Sequence, residues 1–280
     1  MLIFTKIADL EGFLKTLRSK GQTIGFVPTM GALHKGHISL IEASKASCNA
    51  TVCSIFVNPT QFNDSADLDR YPRMPAADTQ LLQQANCDAL FLPSVNEIYP
   101  TTEKQVFDFG ELDKILEGKY RPGHFNGVAQ VVKRFFEIVK PNKAFFGSKD
   151  FQQVLIVKAL VAQMRSDIEI VPCPILRESD GLAMSSRNTL LSAEERVLSG
   201  LIPRLMARAN ELAQSSGFVA AKEYISDEIN KQPLMKLDYF EFCDSANLNT
   251  ITQFIPNEKA VALIAVFVGK IRLIDNLILN

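Results

Sequence analysis

The chain has 280 residues, 47% hydrophobic and 22% charged, with a formal net charge of −1. That length supports one large or two modest cored domains, and the near-neutral charge speaks against nucleic acid as a general partner. The longest apolar run, Ala260 to Val268, is too short to span a bilayer, and the start Met1-Leu2-Ile3-Phe4-Thr5-Lys6 lacks a signal peptide's apolar core; no membrane association and a cytoplasmic location are expected.

Asp9 to Ser19 places Leu10, Phe13, Leu14 and Leu17 on one helical side, with Gly21 as a stop. Ile24, Phe26 and Val27 form a short strand. A glycine-bearing turn follows, and then an amphipathic helix faced by Ile38, Leu40, Ile41 and Ala43. Further strands are predicted at Thr51–Val57, Ala89–Leu92, Ala144–Phe146 and Ile168–Val171, with helices at Ala77–Ala85 and Val128–Val139. Strands alternating with helices imply an α/β fold with a parallel sheet, whose ligands bind beyond the carboxyl ends of the strands.

After Arg187 the character changes. Ser192-Ala-Glu-Glu195 reads as a capping box opening one long helix toward Gln214, and a second helix runs from Ala220 to Lys231. Strands are predicted at Leu237–Cys243, Ala260–Val268 and Ile271–Ile274, the last two joined as a hairpin at Gly269-Lys270. This is a smaller α+β domain. The boundary is placed near residue 175, giving domains 1–175 and 176–280. Cys48, Cys53, Cys87, Cys173 and Cys243 contain no Cys-x-x-Cys pair, and their odd number fits small core residues in a reducing compartment.

Two of the three histidines, His34 and His37, fall where the helix after the first strand begins. Three residues apart, they share a side, and the unpaired N–H groups of a helix start favour an anion such as phosphate. An ordinary helix start with two surface histidines is the alternative. After the second strand comes Asn58-Pro59-Thr60-Gln61, where Gln61 offers donor and acceptor to a hydroxy acid, or simply belongs to a turn. Lys119 to Gly127 reads as a stiff basic loop holding Arg121 and the third histidine, His124. Gly147-Ser148-Lys149-Asp150 makes an anion site with lysine as a point charge, or an N-cap at Asp150. Asp180 to Asn188 combines two hydroxyls with Arg187 in a mobile-looking loop, read as a closing loop or as an interdomain linker.

The segment His34-Lys35-Gly36-His37 resembles the His-x-Gly-His signature of the nucleotidyltransferase superfamily. Pro28–His37, Ser54–Pro59, Tyr71–Arg73, Arg121–Phe125, Phe146–Asp150 and Gly181–Asn188 together resemble, almost end to end, the pantoate–β-alanine ligase family. That resemblance implies a Rossmann-like nucleotidyltransferase domain with a C-terminal α+β lid domain, and a homodimer. It implies ATP-dependent joining of pantoate to β-alanine through a pantoyl-adenylate, for pantothenate and coenzyme A biosynthesis.

The same resemblance implies the site. Met30, Gly31, Ala32, Leu33, His34, Lys35, Gly36 and His37 would contact ATP, with His37 the proton donor and His34 beside it. Gly147, Ser148, Lys149, Asp150, Leu176, Met184, Ser185, Ser186 and Arg187 would complete the nucleotide site, Lys149 and Arg187 meeting developing charge. Gln61 and Gln153 would hold pantoate, and Asn58, Arg121 and His124 would bind substrate with them. Mg²⁺ would arrive on ATP. Some relatives carry an acidic residue that helps to hold it where this chain has Ala77, before Asp78, so its protein ligands stay open; Thr60 replaces a methionine common before Gln61. A cytidylyltransferase, or a catalytically idle nucleotide-binding module, shares the first motif.

Overall fold

The computed structural model describes residues 1–63, 65–101, 105–254 and 259–279. They form two compact units, one of Met1–Ser148 with Gln152–Pro174, the other of Lys149–Phe151 with Ile175–Asn280.

In the first unit the chain runs through β1 (Leu2–Phe4), α1 (Ile7–Ser19), β2 (Ile24–Thr29), α2 (Lys35–Ser47), β3 (Ala50–Ile55), α3 (Ser65–Arg70), α4 (Pro75–Gln84), β4 (Ala89–Phe91) and α5 (Val95–Ile98). It continues through α6 (Glu117–Tyr120), α7 (His124–Val139), β5 (Lys143–Gly147), α8 (Phe151–Gln163) and β6 (Glu169–Cys173). Among the described residues the six strands make one sheet in the order β1-β4-β3-β2-β5-β6, every pairing parallel. Successive side chains point to opposite faces. Phe26, Val52 and Phe91 therefore pack with α7 residues such as Phe135 and with Leu160 of α8. Val27, Cys53 and Leu90 pack with Leu40 and Ile41 of α2 and Leu82 of α4. Both faces are covered, which is why these strands read as continuous apolar runs. Burial contributes roughly 1.5–3 kcal/mol for each large apolar side chain.

The strand order reverses between β2 and β5. β2 pairs along its whole length with β3 but meets β5 only at Gly25 and Phe26. Pro28 has no N–H to donate and lies where β2 has already parted from β5. β2 and β5 diverge there, with Met30 leaving β2 and Gly147 ending β5; this is the switch point beyond which doubly wound sheets bind ligands.

The second unit holds α9 (Ala193–Ser199), α10 (Leu201–Ser216), α11 (Phe218–Asn230), β7 (Met235–Asp244), β8 (Ala260–Val268) and β9 (Ile271–Leu279). β8 is the centre of an antiparallel three-stranded sheet, packed through Phe240, Phe242, Ile264 and Val266 against Ile202, Met206, Ala221 and Ile225 of α10 and α11. The α/β class and the smaller α+β unit agree with the sequence reading.

Four elements differ from it. β1 is three residues long, too short to carry a period. The expected long helix from Ser192 is two helices meeting at Gly200. Pro203 lacks the N–H that would bond to Ser199, and its ring would crowd that carbonyl. The expected basic loop is α6 and the first turn of α7, started by Gly123 in the left-handed region (φ 80°). Finally, β9 continues through Asp275-Asn276, which look like turn residues but are buried and bonded.

Candidate active site

The turn after β2 is built from unusual backbone. Gly31 (φ 85°) and Ala32 (φ 48°) are consecutive left-handed residues. A Cβ on Gly31 would lie 3.0 Å from both Asp78 Oδ2 and the Ile55 side chain, so a side chain there is tightly placed as well as strained in φ. The Thr29 hydroxyl donates to the Ser54 carbonyl and accepts the Gly31 N–H at 3.2 Å. Asp78, reaching in from α4, accepts the N–H groups of Ala32 and Leu33 at 2.9 and 2.7 Å.

His34 is the N-cap of α2, in extended backbone. Its Nδ1 accepts the Gly36 N–H at 3.1 Å, while His37 Nδ1 accepts the His34 N–H at 3.3 Å. The rings stand 4.1 Å apart between centroids. This is a capping box made by two imidazoles. A nitrogen that accepts a hydrogen bond carries no proton, so each neutral ring bears its hydrogen on Nε2. The sequence reading assigned the anion to unpaired N–H groups at this helix start. Here the Gly31, Ala32, Leu33, His34 and Gly36 N–H groups all have protein acceptors. The groups this turn leaves as side-chain donors are the two imidazole Nε2–H groups.

Gln61 ends a short turn, Pro59–Gln61, capped by Asn58. Asn58 Nδ2 donates to Gln61 Oε1 at 3.1 Å and to the Gly127 carbonyl at 3.0 Å. Asn58 Oδ1 accepts from the Thr60 hydroxyl and the Tyr99 hydroxyl, each at 2.9 Å. The Asn58 amide can therefore point only one way, and Gln61 presents its Nε2 donors, one of them 3.1 Å from Met30 Sδ. Thr60, in place of the methionine expected from relatives, adds one bond to this lattice. His124 is 6% exposed. Its Nδ1 donates to the Gln61 carbonyl at 2.8 Å, and its Nε2 accepts from Arg121 at 3.1 Å. Arg121 also lies 3.7 Å from Glu117. With both nitrogens engaged by protein, His124 is a strut behind Gln61, as is Asn58. Gln153 is half-buried one residue beyond Gln152, which is spent on α6, accepting the Glu117 N–H at 3.0 Å.

Gly147 closes β5, and Ser148–Asp150 is a single 3-10 turn before α8. Lys149 groups with the second unit, where Asn276 Nδ2 of β9 donates to its carbonyl at 2.9 Å. Its Nζ lies 3.9 Å from Asp150. In the same unit the Met184 N–H donates to the Leu176 carbonyl at 3.0 Å, so these two expected nucleotide contacts are neighbours across a bridged loop. Ser185 Oγ accepts the Arg187 N–H at 3.2 Å, capping a turn in which Ser186 is buried.

The sequence suggested that the 180–188 loop is mobile. Two arginine–carboxylate forks hold its start. Arg177 grips Asp275 at 2.7 and 3.0 Å and the Gly181 carbonyl at 3.0 Å. Arg196 grips Asp180 at 2.6 and 3.2 Å. Those Arg196 hydrogen bonds hold the Asp180 carboxyl below its ordinary range, although partial burial pushes the other way.

Motif reading gave no role to Asp78, Tyr99, Asp275 and Asn276, whose hydrogen bonds hold the segments that carry the expected residues. Each is a polar side chain in an apolar or turn-like neighbourhood, and only its distant partner gives it meaning. Among the described residues no three His, Cys, Asp or Glu side chains cluster as a metal would require. Both Asp78 oxygens are committed to backbone N–H groups, so the residues present do not build a protein cage for Mg²⁺.

A family model described as pantoate-beta-alanine ligase matches residues 2–278. Pantothenate synthetase from Porphyromonas gingivalis is 47% identical over 277 residues, covering 99% of each chain. That from Bacteroides fragilis is 45% identical, covering 99% of this chain and 98% of its own. The Thermus thermophilus pantothenate synthetase structure is similar with a TM-score of 0.91 at 38% identity, covering 99% of both chains. The Francisella tularensis pantoate-beta-alanine ligase, solved complexed with beta-gamma ATP and beta-alanine, has a TM-score of 0.84 at 37% identity, covering 99% of this chain and 97% of its own.

Proposed function

The chain belongs to the pantoate–β-alanine ligase family and is an enzyme of that kind, and from that premise we propose that it joins (R)-pantoate to β-alanine through a pantoyl-adenylate. In the first step the pantoate carboxylate attacks the α-phosphorus of ATP. A carboxyl-oxygen-to-phosphorus bond forms, the bond to the α–β bridging oxygen breaks, and pyrophosphate leaves. In the second, the β-alanine amine attacks the acyl carbon. The carbon–nitrogen bond forms, the bond to the AMP oxygen breaks, and the amine sheds a proton. Positioning and charge stabilisation carry both steps.

The observation that carries this reading is the reciprocal capping of His34 and His37, which supplies two neutral Nε2–H donors at the switch point. Phosphate oxygens in the nucleotide accept from them, with His37 the donor to the reacting phosphate. Met30–His37, Gly147–Asp150, Leu176 and Met184–Arg187 make up the ATP site, Lys149 and Arg187 meeting the negative charge on the leaving group. Gln61 and Gln153 hold pantoate, and Asn58, Arg121 and His124 hold Gln61. The Francisella relative's ligands support ATP and β-alanine as substrates. Mg²⁺ would arrive with the triphosphate and would offset its negative charge. A reducing cytoplasm is the proposed compartment, supported by five free cysteines, and a homodimer the proposed state; among the described residues no helix is long and apolar enough to cross a membrane.

The test is AMP release from ATP and Mg²⁺ with pantoate or β-alanine omitted in turn. Turnover that needs both is the expected result. AMP formed equally well from unrelated acids and amines defeats the substrate assignment, and β-alanine-independent pyrophosphate release from CTP points to a cytidylyltransferase instead.

A further inference from the structure

We propose that Asp78 is the positioning residue of the nucleotide site, the side chain that holds the His34–His37 turn in its working geometry; this rests on the adenylate-forming reading above. Asp78 is 1% exposed and sits in the first turn of α4, remote in sequence from the turn it serves. Its two oxygens take the Ala32 and Leu33 N–H groups at 2.9 and 2.7 Å. Both residues are buried, so without the carboxylate those two N–H groups would lose their acceptor away from water, a costly state.

The turn has need of such an anchor. Ala32 is held at φ 48°, a conformation an L-residue adopts only when its surroundings impose it. Leu33 leads directly into the His34 cap, whose extended backbone sets where both imidazoles accept and therefore where both Nε2–H groups point. Releasing the Ala32 and Leu33 amides frees the turn to relax from the left-handed region and moves the donors with it. The carboxylate also keeps these two N–H groups from turning toward the phosphates, which leaves recognition to the rings. Asp78 touches no reacting atom in this account; it acts through the turn.

The experiment compares Asp78→Asn with Leu82→Ala. The second change empties core volume from the same helix, in the cluster that also holds Leu33, but leaves both Asp78 hydrogen bonds in place. The amide of Asp78→Asn keeps the volume but sets an NH2 donor against one backbone N–H. Binding of β,γ-methylene ATP is measured by calorimetry, with KM for pantoate, Tm and the Ala32 and Leu33 amide resonances beside it. Expected for Asp78→Asn are a tenfold or greater rise in Kd for the analogue, a pantoate KM within twofold of wild type, and shifted resonances at those two amides. Leu82→Ala should lower Tm and leave Kd within twofold. An unchanged Kd in Asp78→Asn, or an equal loss in both variants, overturns the proposal. Should Asp78→Asn prove too unstable, the same Kd is read with Ala32→Gly added, which relieves the left-handed residue. Wild-type protein that binds the analogue but makes no AMP defeats the ligase reading while leaving this comparison intact.

Discussion

Gly127→Ala tests how the pantoate site is held. Gly127 lies in the first turn of α7, and a Cβ there would sit 2.3 Å from the Thr60 carbonyl oxygen and 2.7 Å from Gln61 Cα. Ordinary contact begins at 3.4 Å, so helix and turn must part by about 1.1 Å. α7 is fixed in the core by Phe125, Val128, Val132 and Phe136, so the Asn58–Gln61 turn is what yields. That movement stretches the Asn58–Gly127 and His124–Gln61 hydrogen bonds, now 3.0 and 2.8 Å. At about 1 kcal/mol for each bond and 1–3 kcal/mol for overpacking, the stability loss is roughly 3–5 kcal/mol. A displacement near 1 Å at a substrate-holding group costs about a hundredfold in rate. Pantothenate formation against varied pantoate should therefore show kcat/KM down about a hundredfold, with Kd for β,γ-methylene ATP within twofold, and urea unfolding should show the stability loss. A folded variant with kcat/KM within threefold of wild type refutes the argument: either the turn does not position Gln61, or Gln61 does not hold pantoate.

Two further predictions concern the second unit. Arg177→Ala leaves the buried Asp275 carboxylate without its forked partner and should cost about 3 kcal/mol in urea unfolding. A loss below about 1 kcal/mol would show that the carboxylate finds other donors or water. For Asp180 the folded carboxyl titrates below its ordinary range, so its contribution is present above the unfolded pKa and is lost as pH falls through the lowered folded value. The pair is partly exposed and screened by solvent, so Asp180→Asn should be less stable than wild type by under about 1 kcal/mol at neutral pH. That gap should close in strong acid; a gap that persists there cannot come from the charge.

The four large parallel strands and the β8–β9 hairpin were legible because their periodicity or turn chemistry is local. Even the capping box at Ser192 appears as read, with the Ser192 N–H donating to Glu195 at 2.8 Å and the Glu195 N–H to Ser192 at 3.3 Å. The end of the long helix was written in Gly200 and Pro203, but the capping signal before it invited a single element. β9 was cut short because Asp275-Asn276 has the composition of a turn. Within the strand these side chains are satisfied by Arg177 and Lys149, 98 and 127 residues away in sequence.

By itself the sequence determined the layered α/β architecture, the smaller α+β region and the motifs that mark the family. Spacing and side-chain chemistry suffice for those. Which donors and acceptors of the motifs are taken by other parts of the protein was decided by tertiary structure alone. Asp78 occupies backbone groups that the sequence leaves open for an anion, and Asn58, Tyr99 and His124 orient Gln61. A hydrogen-bond donor has its direction set by its acceptor, and these acceptors come from elements that only folding brings together.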